Sequence, residues 1–234
     1  MLSRRLSRVL MPVAAASLLL AACGGAAAPS PTTQATATAT VATATATPGA
    51  TATATTGTWT VGNASKTTVS VREQLVGVNL PSDAVLVAKG ATGTFVLNGD
   101  GTFSAASKIS FDLTTLESDN RNRDDFIKGD TLQVRQFPKA EFVPTKTTGL
   151  ALPMPTSGDF TFKLTGQMTI RAKTKEVTFD VQAKRTGNEL IATATAAPAW
   201  KFGDFGMTAP SVPFRVVSIV DEIRVVVDLV ATVA

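Results

Sequence analysis

Few side chains in this 234-residue sequence are equipped for covalent or acid–base chemistry. There is no histidine and no tyrosine, and Cys23 is the single cysteine. A Ser-His-Asp or Cys-His centre therefore cannot be assembled. A His/Cys zinc site is excluded, and no disulfide can close within the chain. Adjacent carboxylates at Asp124-Asp125 and Asp221-Glu222 remain as acid–base candidates. Neighbouring residues on a strand point to opposite faces, so such dipeptides do not make the opposed pair that glycoside hydrolysis needs. The expectation is a protein that is not an enzyme, with no metal and no cofactor.

Cys23 has a different chemistry open to it. Arg4, Arg5 and Arg8 precede Val9–Leu20, an apolar run interrupted only by Pro12 and Ser17. That run has the length of a signal-peptide core and is too short to span a bilayer. It ends in Leu20-Ala21-Ala22-Cys23, which resembles the bacterial lipobox. The resemblance implies a signal peptide over residues 1–22, a diacylglyceryl group on the Cys23 thiol, and cleavage that leaves Cys23 as the first residue. Two acyl chains hold a protein on a membrane far better than one, at ~0.8 kcal/mol per buried methylene. The expected location is outside the cytoplasm: anchored on the outer side of the cell membrane, or in the periplasm or cell envelope.

The net charge of +4 includes the three arginines of the segment to be removed. The remainder is almost neutral, so no nucleic-acid partner is expected, since that requires a clustered basic face. Residues 23–58 form the second segment. Thr32–Thr56 is nearly all Thr and Ala, and no charged residue occurs between Val9 and Ser65. Such a composition cannot bury enough apolar surface to offset its ordering entropy. It reads as a disordered tether with a reach of roughly 30 Å on flexible-coil scaling. Its dense threonine also permits O-glycosylation, against which a plain spacer is the simpler reading.

The elements that must position any site begin at Trp59. From there to Ala234 apolar residues recur with period two, the signature of strands with one buried face. Phe160, Phe162, Leu164, Met168 and Ile170 share one parity, and Gly166 in the same register marks a bulge or bend. Val177, Phe179, Val181 and Ala183 repeat the pattern after a turn placed at Ala172–Lys175. Upstream, Phe103, Ala105, Ile109, Phe111 and Leu113 alternate with polar residues after the turn signal Asn98-Gly99-Asp100-Gly101, and Gly93, Phe95 and Leu97 face them. Val69, Val71 and Leu75 supply another face, with Glu73 in their register. An inward Glu73 requires a partner, because an unpaired buried carboxylate is costly; the alternative is a place at the rim, where alternation often fails. Near the C-terminus Val217, Ile219, Ile223, Val225, Val227 and Leu229 share one parity, while Val216, Val220, Val226 and Val230 occupy the other, as in a strand covered on both sides. Arg123–Gly129 breaks the pattern and predicts a short helix, started by an Asp or Asn cap and ended at Gly129. About eight strands and one short helix describe an all-β, antiparallel barrel, which either fills with side chains or holds one small ligand.

The residues from Trp59 to the C-terminus resemble the YceI-like family of lipocalin-like, polyisoprenoid-binding exported proteins. The resemblance lies in Trp59-Thr60-Val61 and Ser65, in Leu116…Arg123-Asp124, and in Gln136-Phe137-Pro138-Lys139-Ala140-Glu141-Phe142. It continues through Leu164–Thr178 and closes with Gly203-Asp204-Phe205-Gly206-Met207. Histidines common in the family are replaced by Ala64 and Phe126, and a glycine before Lys173 is Ala172, so any chemistry of those histidines does not carry over. The barrel and an apolar cavity do. The resemblance implies an isoprenoid-like ligand, a quinone or a polyprenyl chain, in a cavity lined by Phe95, Phe103, Ile109, Phe111, Phe160, Phe162, Leu164, Met168, Ile170, Phe179 and Val181. Arg123 and Asp124 are candidates for a polar anchor of its headgroup; the alternative is a structural pair tying the helix to the barrel. Asp204 is read as a turn residue. The expected partners are the membrane, through acylated Cys23, and a hydrophobic lipid, with a homodimer as a further candidate. The competing reading is a structural or interaction domain of the cell envelope whose barrel is filled and takes no ligand.

Overall fold

The computed structural model describes residues 57–234. The expected signal peptide (1–22) and the tether (23–58), apart from Gly57 and Thr58, lie outside the described residues, and Cys23 with them. The described residues form ten strands: β1 (Trp59–Val61), β2 (Lys66–Leu75), β3 (Ser82–Lys89), β4 (Thr92–Phe95), β5 (Lys108–Asp112), β6 (Lys139–Thr148), β7 (Ser157–Ile170), β8 (Lys173–Thr186), β9 (Glu189–Ala196) and β10 (Val216–Val233). One short helix, α1 (Arg121–Phe126), lies between β5 and β6.

The sheet closes on itself. Its order runs β1-β4-β5-β6-β7-β8-β9-β10, and β10 pairs back onto β1. The other two strands extend positions already in that ring. β1 lies against the end of β10 (Val61 opposite Ala231), and β2 continues along it (Lys66 opposite Asp228). The bend between them is fixed by Ser65, whose buried hydroxyl accepts the Val230 N–H at 3.0 Å. β3 and β4 follow the same course beside them, on β2 and β1 respectively. Eight positions around an antiparallel barrel are thus filled by ten strand segments, which removes most of the exposed ladder of an open sheet; the outer edge of β3 is met by an isolated bridge from Val87 to Glu117.

Period two built these strands as the alternation demands. On β8, Val177, Phe179, Val181 and Ala183 are buried while the residues between them face solvent or are half-buried. Five local expectations need correction. The β7–β8 turn is Arg171-Ala172, not Ala172–Lys175: Ile170 pairs directly with Lys173, and both turn residues take positive φ, 50° and 56°. Such a two-residue turn matches the twist of the flanking strands. The irregularity expected at Gly166 lies across the ladder in β6, between Pro144 and Lys146. Gly166 is instead the place where the Phe142 ring lies against β7, since a Cβ there would stand 2.5 Å from Phe142 Cζ.

The strand expected over 102–113 is shorter. Only Lys108–Asp112 is strand, and Phe103 joins the sheet by an isolated bridge to Leu97 across the Asn98–Gly101 turn. The expected helix begins with an asparagine cap, Asn120, whose side chain accepts the Arg123 N–H. It does not end at Gly129: a wider turn carries Ile127–Thr131 onward, with the Leu132 N–H bonded to the Ile127 carbonyl. Finally, β10 is not covered on both faces, because Val217 and Val220 are exposed. A shift of register between Ile219 and Ile223 opposite Glu73 and Val71 interrupts its parity.

Candidate functional site

The barrel interior has two halves of different character. At the narrow end, where β1 and the end of β10 meet, aromatic side chains fill the space. Trp59 stacks on Phe95 with centroids 6.0 Å apart, and Phe103 meets Phe95 edge-on. The Arg185 guanidinium covers the outer face of Trp59 at 4.9 Å. Only about 80 Å³ is left there, bordered by Phe95, Phe103, Ile109, Phe160, Phe162, Leu164, Phe179 and Val181.

The wide end is hollow. A cavity of about 430 Å³ lies between β2, β3, α1 and the segment leading from β9 to β10. That size falls in the range of small-molecule sites. Small inward residues leave this room: Ala84 and Ala88 on β3 and Ala140 on β6 stand where the narrow end has phenylalanines. Val69, Val71, Leu86, Ile223 and Val225 complete an apolar wall.

Two excursions from the barrel close this end. The first is the helical stretch between β5 and β6, packed beside β3 through Leu86, Ala88, Leu116, Ile127 and Leu132. The second is the β9–β10 connection. Trp200 exchanges both backbone hydrogen bonds with Ile223, at 2.9 and 2.7 Å, and so enters the barrel as an extra bridge. Its ring meets Phe179 and Phe205 edge-on, at 5.9 and 5.4 Å. Phe205 is 1% exposed.

Asp204 holds that second excursion. Its carboxylate accepts the Lys201 N–H at 2.9 Å and an ion pair from Lys175 at 2.6 Å. Burial acts to raise the pKa of Asp204, but the Lys175 hydrogen bond, the Lys201 N–H and their charges together hold it below the ordinary carboxylate range. This is the turn role read from the sequence, with an ion pair to β8 added.

The cavity has one concentrated polar feature. Glu73, on β2 in the register of Val69 and Val71, is inward and buried, and Arg123 of α1 reaches it at 2.7 Å. Arg123 also pairs with Asp119 at 2.6 Å. Both Glu73 and Arg123 border the cavity, with Asn120 and Asn122 beside them at its outer end. Asp124 does not pair with Arg123. It turns to Ser118, accepting the N–H at 2.9 Å and the hydroxyl at 2.6 Å, and it is not among the residues around the cavity.

The eleven residues expected around a ligand therefore divide. Phe111, Met168 and Ile170 border the larger cavity, and the other eight belong to the narrow half. Sequence periodicity does not single out β3, since its outward positions Val85 and Val87 are as apolar as its inward ones. Nor does it place Trp200, Phe202 and Met207, which reach the cavity from a connection without period. The motif Gly203–Met207 was the one signal for that connection.

An antiparallel barrel of eight positions, closed all round and hollow at one end, belongs to the class of lipocalin-like barrels. Within that class the chain belongs to the YceI-like family: the family's YceI-like domain matches residues 32–231. Two UPF0312 proteins of Pseudomonas putida are 35% identical over 131 residues, 50% of this chain. The match spans 64% of the length of those relatives. Among solved structures, BcnA of Burkholderia cenocepacia superposes with a TM-score of 0.52 at 19% identity, over 72% of this chain and 96% of that one. A polyisoprenoid binding domain from Saccharophagus degradans, implicated in plant cell wall breakdown, superposes with a TM-score of 0.57 at 11% identity, over 75% and 98%. At these identities the likeness is one of fold.

Proposed function

We propose that the barrel binds a single isoprenoid-like lipid, a quinone or polyprenyl chain, in the hollow half, and that the protein carries or sequesters it outside the cytoplasm while tethered to a membrane by acylated Cys23. The observation that carries this reading is the cavity of about 430 Å³ with its mainly apolar wall. An empty apolar space of that size forfeits packing that a hydrocarbon occupant restores. Arg123 and Glu73 at its outer end suit a polar headgroup, with the chain running inward toward Phe111, Met168 and Ile170. The Saccharophagus degradans domain of the same fold bears a polyisoprenoid-binding name, and the same occupant fits this chemistry. Binding rather than catalysis also accords with a sequence that has no histidine and one cysteine.

The competing reading, a filled structural barrel, describes the narrow half well and the wide half badly. Native mass spectrometry of the full chain purified from cells separates them. The expected result is a bound mass released by organic solvent and identified as an isoprenoid-like lipid. A bare protein mass, together with no rise in melting temperature on adding polyprenyl lipid, overturns the proposal. A ligand at a hundredfold excess over Kd stabilises by ~2.7 kcal/mol, which such a melt resolves.

A further inference from the structure

The wide end of the barrel carries apolar residues that the interior does not use. Nine large hydrophobic side chains are exposed among the described residues, and six of them, Val76, Val78, Leu80, Phe214, Val217 and Val220, fall in two short segments. One segment, residues 75–82, is the β2–β3 connection with one strand residue at each end. The other, 208–220, joins the end of the β9–β10 connection to the first five residues of β10, and the exposed Asp221 and Glu222 follow it. The two are neighbours: the Val76 N–H donates to the Arg215 carbonyl at 3.0 Å. Phe214 is 95% exposed and Leu80 75%. Monomeric proteins scatter their exposed apolar residues, and a rim gathered at one end marks a contact site.

These segments also build the cavity. Leu75, Pro210, Val212, Val216 and Ile219 turn inward to its wall while the six rim residues turn outward. Rim and cavity are therefore one continuous apolar surface, folded over the edge of the barrel. Across both segments there is a single charged residue, Arg215. It borders the cavity, is exposed, and takes part in none of the ion pairs among the described residues.

We infer that this rim docks onto a lipid bilayer bearing anionic headgroups, with Phe214 and Leu80 entering the acyl boundary and Arg215 at headgroup level. The inference rests on the lipid-binding reading above and adds to it the route by which the lipid enters. Exposed apolar side chains gathered at one rim, no acidic residue within the two segments, and one unpaired cation are what an interfacial contact requires. Contact at the rim lets a hydrocarbon chain slide from the bilayer into the cavity without crossing water. A second copy of the chain on the same rim would instead seal the cavity mouth against that entry.

The test places a reporter at the rim of the full chain. Phe214→Trp is informative because Trp59 and Trp200 are buried and do not report on the surface. Vesicles of phosphatidylcholine and phosphatidylglycerol, with and without bromine on the acyl chains, are added. Reading position 214, rather than binding as such, excludes attachment through the apolar N-terminal segment. The expected result is a blue shift of the new indole and its quenching by the brominated lipid. Arg215→Gln in the same background lowers the vesicle affinity about fivefold, equivalent to ~1 kcal/mol for one cation at an anionic surface. An indole that keeps its water-exposed emission at saturating lipid overturns the inference, and so does a blue shift that follows protein concentration without vesicles, which assigns the rim to a second copy. Native mass spectrometry of the same preparation keeps the two proposals apart. A lipid-loaded barrel with a silent indole sinks the docking alone, and an empty barrel that takes up no lipid sinks the lipid-binding reading.

Discussion

Glu73 and Arg123, fifty residues apart in the chain, meet at 2.7 Å in the wall of the cavity, with side chains 7% and 18% exposed. The pair pins α1 to β2 and so closes the gap between β3 and the helical excursion. It is unequal. Arg123 is the hydrogen-bond partner of Glu73 among the described residues, whereas Arg123 also reaches Asp119 and Ser118. Breaking a buried pair costs ~3–5 kcal/mol when the remaining charge is left uncompensated. Arg123→Ala should therefore cost about that much, and Glu73→Ala distinctly less, because Asp119 still compensates the cation. Urea unfolding of the two variants checks the order. Equal costs would show that the pair is not the latch of the helix.

Ala84 leaves part of the cavity empty. Ala84→Phe should fill it, and its stability cost should stay below the ~1–3 kcal/mol of overpacking a dense core. Uptake of polyprenyl lipid, measured by thermal shift, should be lost while the melting temperature of the unliganded protein hardly moves. Retained lipid uptake would place the ligand elsewhere in the barrel.

The Arg171-Ala172 turn holds two residues with side chains at positive φ, a conformation glycine adopts without steric penalty. Ala172→Gly should stabilise the protein by about 0.5 kcal/mol, the relief of strain exceeding glycine's greater entropy loss. A fall in melting temperature would contradict the turn geometry.

Asp204 has its folded pKa depressed against the opposing effect of burial, by Lys175 and the Lys201 N–H. Its contribution is present above the unfolded carboxylate value of about 3.9 and is lost as pH falls through the lower folded value. Asp204→Asn should thus be less stable than the parent at neutral pH, and the two should converge as pH drops below ~4. Guanidinium unfolding across that range checks this. A constant difference down to the acid limit would assign the effect to the backbone turn alone.

Cys23→Ser should release the protein from the membrane fraction, since the apolar run before it is too short to span a bilayer. Fractionation with a high-salt wash reads the outcome, and a variant that still pellets with membranes refutes the lipid anchor.

Much of this architecture was legible before folding. Alternation at Phe160–Ile170 and Val177–Ala183 gave the hairpin, and absent histidines removed whole classes of chemistry. Glu73 in an apolar register required a partner if it faced inward. These are local properties: period two follows from backbone geometry, and a buried carboxylate is costly wherever it sits. The sequence alone could not say which half of the barrel is hollow. Period two says which side chains point inward, but the space left between them depends on what stands opposite across the barrel. At Phe95, Phe103 and Phe179 the opposing side chains fill it, while at Ala84, Ala88 and Ala140 they do not. The partner of Glu73, the entry of Trp200 beside Ile223, and the gathering of Phe214 with Leu80 were likewise settled by tertiary structure, because each joins segments that no sequence spacing relates.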